Sequence, residues 1–133
     1  MSLDGIFGKR YKCVGSDNFD EYLKAIGLNF VQRKMASTIL PSIMLCKNGD
    51  EYILSTHTPV KTVAFAFKPG VEFEHEALDG RNVTAVVHVE ANTLREVQTD
   101  TDGRVVDIER IFTEDEMRME IRTGDVTARR VFK

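Results

Sequence analysis

Two arginines occupy positions where the surrounding pattern calls for apolar side chains. In the run from Val105 to Phe112 one parity reads Val106, Ile108, Arg110, Phe112 and the other Val105, Asp107, Glu109, Ile111. The first set is the more apolar, and neighbouring strand residues face opposite sides, so Arg110 falls on the inward face. The last run repeats the arrangement, with Val126, Ala128, Arg130 and Phe132 set against Thr127, Arg129, Val131 and Lys133. A guanidinium keeps its proton, and an uncompensated buried charge is costly. Two of them on one inner wall call for an anionic ligand, an internal Glu or Asp, or trapped water, unless parity slips at a bulge. The chemistry such forks suit best in an oily hollow is to hold a carboxylate through paired hydrogen bonds.

No other pattern in the chain suggests catalysis or a cofactor. There is no Gly-x-Ser-x-Gly, His-Glu-x-x-His or Gly-rich phosphate loop, and no nucleophile–base pair. His57, His75 and His88 lack metal-ligand spacing, and in Phe73-Glu74-His75-Glu76 neighbours face opposite sides. Gln98, Asp100, Asp102, Gly103 and Glu109 fall at EF-hand positions, but the first is Gln and Val105 to Phe112 reads as strand. The expectation is no enzyme, no metal and no cofactor. Cys13 and Cys46 make a poor disulfide framework and read as reduced core thiols of an intracellular protein. Lys24, Arg33 and Lys34 form a small basic cluster: a solvated face, or a contact for anionic membrane.

The elements that must position the arginines are legible from period and punctuation. Phe19, Tyr22, Leu23 and Ile26 form the stripe of an amphipathic helix, with Ser16 or Asp17 as its cap and Gly27 as a left-handed stop. A second short helix is predicted from Leu28 to Met35 or Ala36, entered through Asn29. From Pro41 onward the period becomes two: Tyr52-Leu54-Thr56, Val63-Phe65-Phe67, Val71-Phe73, Val83-Ala85-Val87-Val89, Met117-Met119-Ile121 and Val126-Ala128. Asn48-Gly49-Asp50, Pro69-Gly70, Asp79-Gly80, Asp102-Gly103 and Thr123-Gly124-Asp125 punctuate them as turns. With a first strand near Tyr11, this predicts an antiparallel meander of eight or more strands. A barrel is favoured because closure removes the two edges.

The composition agrees. A chain of 133 residues with 42% apolar residues is read as one domain, 1–133, able to bury a core. Its apolar runs fall far short of the roughly 20 residues that span a bilayer, and Met1 to Tyr11 lacks the apolar stretch of a secretory signal. A net charge of −3, from 18 basic and 21 acidic residues, argues against electrostatically driven nucleic-acid binding.

Tyr11, Asn18-Phe19-Asp20, Tyr22-Leu23 and Ile26, with Cys13 in place of a larger aliphatic residue, form an opening signature that resembles that of the intracellular lipid-binding proteins, the fatty-acid-binding and cellular retinoid-binding family. The likeness continues through Gln32-Arg33-Lys34, Pro41, Lys47-Asn48-Gly49-Asp50, Phe67-Lys68-Pro69-Gly70-Val71-Glu72-Phe73, Asp79-Gly80-Arg81 and Gly124-Asp125-Val126-Thr127. It runs nearly end to end, with an apparent insertion in the turn from Thr99 to Gly103. The resemblance implies a ten-stranded up-and-down antiparallel β-barrel, all-β apart from a helix-turn-helix lid at about 17–36. It also implies a cytoplasmic monomer carrying a long-chain fatty acid, with the nucleus as a further compartment.

The family's carboxylate-binding branches meet the head group with two inward arginines and a tyrosine, which correspond here to Arg110, Arg130 and Phe132. Phe132 departs from the pattern by lacking a hydroxyl. Val60 departs by being small where much of the family has a bulky aromatic at the portal. The ligand chain and portal are assigned to Phe19, Leu23, Leu28, Val31, Ile43, Val60, Leu78, Met119 and Ile121. The alternatives are a retinoic-acid carrier, or a lipid-delivery module acting through a membrane or a nuclear partner.

Overall fold

Alternating inward apolar residues and glycine-marked turns build a long meander. The computed structural model describes residues 2–133. The strands are β1 (Arg10–Asp17), β2 (Ser42–Asn48), β3 (Glu51–His57), β4 (Thr62–Phe67), β5 (Phe73–Glu76), β6 (Asn82–Glu90), β7 (Thr93–Asp100), β8 (Val105–Phe112), β9 (Met117–Thr123) and β10 (Val126–Phe132). Two helices, α1 (Phe19–Ala25) and α2 (Phe30–Thr38), lie between β1 and β2. The ten strands form one antiparallel sheet in the order β4-β3-β2-β1-β10-β9-β8-β7-β6-β5. Sequence neighbours pair throughout except β4 and β5, and β1 also joins β10, which nearly closes the barrel.

The remaining opening lies between β4 and β5, which share no backbone ladder. Side chains bridge it instead. Phe65 of β4 stacks on His75 of β5 at 4.1 Å between ring centres and meets Phe73 in a tilted contact at 5.3 Å. At one end of the opening Lys61 Nζ meets Glu76 Oε1 at 2.8 Å. Closure therefore stops short of removing the last two edges, β4 and β5, which an aromatic seam covers.

The inward parities of β8 and β10 are those expected: Val106, Ile108, Arg110 and Phe112 are buried, as are Ala128, Arg130 and Phe132. Val71 differs from expectation. It stands exposed in the turn before β5, because the ladder with β6 begins only at Phe73. The turn from β6 to β7 carries no glycine. Ala91 adopts φ 53° there, and the turn is fastened by Asn92, whose side-chain amide donates to the Phe112 carbonyl at 2.8 Å.

The helices also correct one detail. Ser16 and Asp17 end β1, and the residue before α1 is Asn18, left-handed at φ 61° and without a side-chain cap. Its amide donates instead to the Thr127 carbonyl, pinning the lid to the start of β10. Gly27 takes the expected left-handed stop at φ 95°. Asn29 caps α2 in a full capping box with Gln32. Tyr22, Leu23 and Ile26 are buried beneath α1. Arg81 Nη2 lies 3.5 Å from the Tyr22 hydroxyl, and the Arg104 guanidinium abuts Gly27, so the turns before β6 and β8 support the lid. At the other end Leu3 and Ile6 are buried, and the Tyr11 hydroxyl donates to the Thr113 carbonyl at 2.9 Å.

Candidate ligand-binding site

Register places the two arginines on either side of one methionine. Met119 of β9 faces Arg110 of β8 on one flank and Arg130 of β10 on the other. Two strand spacings of roughly 4.8 Å set their backbones about 10 Å apart. Arg110 is 7% exposed and Arg130 8%. Both line a cavity of about 360 Å³ beneath the helices, within the roughly 300–1,000 Å³ usual for small-molecule sites.

Arg110 is already neutralised from within the wall. Its Nη1 donates to Glu96 Oε1 at 2.7 Å, and Glu96, on β7, is only 1% exposed. The other carboxylate oxygen faces His75 Nε2 at 3.0 Å and accepts from Gln98 Nε2 at 2.9 Å. Burial is the largest influence on Glu96 and pushes its carboxyl up. The Arg110 charge, with hydrogen bonds from His75, Arg110 and Gln98, outweighs it and holds the group at about 2. Glu96 is therefore ionised, and it is the internal carboxylate that the parity of β8 left open.

Arg130 stands differently. Its Nε donates to the Ser16 hydroxyl at 2.9 Å, and its guanidinium carbon lies 3.9 Å from the Phe19 ring centre and 5.7 Å from that of Phe132. It pairs with no carboxylate among the described residues. Burial pushes its pKa below the usual arginine range, with the neighbouring Cys13 opposing that shift. A guanidinium does not deprotonate in this setting, so its charge remains costly until an anion reaches it.

The family model for the lipocalin / cytosolic fatty-acid binding proteins matches residues 8–133. The chain belongs to the lipocalin / cytosolic fatty-acid binding protein family. A fatty acid-binding protein of Tyrophagus putrescentiae is 35% identical over 123 residues, covering 92% of this chain and 93% of that one. Among solved structures, a fatty acid-binding protein from brain tissue of Drosophila melanogaster superposes with TM-score 0.89 at 40% identity, covering 96% of this chain and 98% of that one. A fatty acid binding protein of Schistosoma mansoni, solved with arachidonic acid, gives TM-score 0.92 at 30% identity and covers 100% and 98%. Members of this family are carriers and not enzymes.

Within this family fold, most of the residues singled out from sequence come together. Arg110, Arg130, Phe132, Phe19, Leu23, Leu28, Ile43, Val60, Leu78, Met119 and Ile121 all line the cavity. Val31 does not: it is 64% exposed on the outer side of α2. The cavity-facing stripe of that helix and its end is Gln32, Met35, Ala36 and Ile39, spaced i, i+3, i+4, i+7, and Val31 lies about 90° from its centre. The basic cluster is likewise divided. Arg33 is bound to Asp20 at 3.1 Å and to the Leu28 carbonyl at 2.9 Å, whereas Lys24 and Lys34 are exposed.

Glu96, Gln98, His75 and Ser16 were not singled out as site residues. For the first two alternation gave no signal, because the inward side of β7 after Leu94 is polar: Glu96, Gln98 and Asp100. Ser16 was hidden by a register shift between Cys13 and Gly15, which puts Ser16 opposite Arg130 on the inward side.

Proposed function

We propose that the chain is an intracellular carrier of one long-chain fatty acid, held with its carboxylate on Arg130 and its hydrocarbon along the apolar wall. The observation that carries this reading is the asymmetry of the arginines: one inward cation has an internal carboxylate partner, and the other has none among the described residues. The fatty-acid-binding names of the relatives, including one solved with arachidonic acid, support the same ligand class. Burial of the tail supplies most of the gross driving force, at about 0.8 kcal/mol per CH₂ before association costs. Arg130 then fixes which end of the molecule lies inside. Arg110 takes a lesser share of the head group, since Glu96 already satisfies most of its charge. In this reading the whole chain acts as one monomeric lipid-binding domain in the cytoplasm, with the two helices as its lid.

The mouth would be bounded by Leu28, Val60 and Leu78. Val60, 83% exposed, leaves it wide. Delivery to anionic membrane is a second reading, supported by exposed Phe30, Val31 and Met35 beside Lys34 on α2. Service to a nuclear partner would use the same lid.

The test is a titration of wild type and Arg130→Gln with a fatty acid and with the alcohol of equal length. The acid is expected to lose at least about tenfold in affinity, the size of a hydrogen bond to a charged group, and the alcohol little. Equal losses would remove the orienting role. Competition between oleate and retinoic acid decides the tail, and a preference for retinoic acid would reassign the cargo.

A further inference from the structure

The cation proposed to meet the carboxylate is held on two sides by the short stretch from Ser16 to Phe19. Ser16, near the end of β1, is the ladder partner of Arg130 on β10, and its hydroxyl accepts from Arg130 Nε at 2.9 Å. Phe19, the first residue of α1, places its ring centre 3.9 Å from the guanidinium carbon. Asn18 carries the chain from one contact to the other. Its left-handed φ of 61° turns the backbone out of the strand, a conformation asparagine tolerates better than most residues with a side chain. Its amide on the Thr127 carbonyl ties that turn to β10, the strand that bears Arg130.

The consequence lies in which nitrogens remain. A guanidinium can meet a carboxylate side-on, through Nε and one Nη, or end-on, through both Nη groups. Nε carries a single hydrogen, and Ser16 has taken it. Nη1 and Nη2 donate to no oxygen among the described residues, and neither is sealed away from a guest. The Phe19 ring fixes the face of the group, and the serine fixes its rotation in the plane. A long side chain that would otherwise lose its rotamer freedom on binding has already lost it on folding. We infer that Ser16 is a positioning residue for the cargo's carboxylate: by holding Arg130 Nε it presents Nη1 and Nη2 as a fixed fork and favours an acid received end-on. The inference rests on the carrier reading above and adds to it a residue that sharpens the preference for an acid. Ser16 is exposed at the rim, where β1 has run past its last pairing with β2 at Lys12, so truncating its hydroxyl empties no part of the core.

Calorimetric titration of the full chain with oleate and with oleyl alcohol tests this, in wild type, Ser16→Ala, Ser16→Thr, Arg130→Gln and the double variant of Ser16→Ala with Arg130→Gln. Ser16→Ala is expected to weaken oleate by about fivefold, the cost of immobilising one long side chain on binding, and oleyl alcohol by less than about twofold. Threonine keeps the hydroxyl, so Ser16→Thr should bind oleate within about twofold of wild type. The double variant separates positioning from general damage: once Arg130 is gone, Ser16→Ala should cost oleate nothing more. An unchanged oleate affinity in Ser16→Ala, an equal loss for the alcohol, a threonine no better than alanine, or the same loss again without Arg130 would overturn the role of Ser16 while leaving the carrier intact. Equal losses of acid and alcohol in Arg130→Gln would remove the orienting role of Arg130 and that of Ser16 with it. Failure of wild type to bind either ligand would instead remove the carrier reading itself.

Discussion

An internal carboxylate beside one of two inward guanidiniums divides their labour, and it also makes the wall depend on a buried ion pair. Glu96→Gln would leave Arg110 buried with no counter-charge, which costs about 3–5 kcal/mol where such pairs have been broken. We expect a loss of that order in urea unfolding. The pH dependence should change with it. Because the folded-state value is depressed from 4.5 to about 2, the stabilisation is fully present above pH 4.5 and is lost as pH falls through about 2. The variant lacks that share of the acid sensitivity, so a wild-type slope in Glu96→Gln would refute the assignment. Phe132, fully buried near Arg130, offers a converse experiment. Phe132→Tyr adds a hydroxyl close to the proposed head-group position and is expected to tighten fatty-acid binding by about tenfold. An unchanged titration would mean that the head group gains nothing from that donor.

At the scale of elements, the lid is held by local chemistry that its short helices cannot supply through length alone. The seven residues of α1 and nine of α2 are too few for autonomous stability. The capping box of Asn29 and Gln32 compensates for α2. Asn29→Ala is expected to cost about 1 kcal/mol, confined to the lid. Amide exchange should quicken in α2 with β6 to β8 unchanged, and exchange accelerating throughout would disprove local control.

This element and the strand parities of β8 and β10 were legible because period and punctuation are local properties. The apparent cap at Ser16 was not, because the bulge at Cys13 and Gly15 shifts parity and hands Ser16 to Arg130, 114 residues away. Glu96 escaped for a related reason. In β7 the inward side is largely polar, with Glu96, Gln98 and Asp100 following Leu94, so hydropathy gives no sign of which face is inside. Only its partner across the ladder does.

At the scale of the whole molecule, the opening between β4 and β5 is where backbone hydrogen bonding ends and side chains take over. The Phe65–His75 stack lies along it, and the Lys61–Glu76 pair straps one end beside Val60 and Leu78. Both charges of that strap are about half exposed, so it contributes at most about 1 kcal/mol and is weak enough to open on the timescale of exchange. Glu76→Lys would replace attraction by repulsion without touching the arginines. If cargo passes by parting this end of the seam, its entry and exit rates should both rise by up to about fivefold, because the change raises the closed state alone. Equilibrium affinity should move by less than about twofold, since the guest's contacts are unchanged. Stopped-flow transfer of a fluorescent fatty acid measures both rates, and added salt should shrink the wild-type strap and narrow the difference. Rates identical in the two proteins would place the passage under α1 and α2 alone, and would make the strap a feature of the closed barrel with no part in loading.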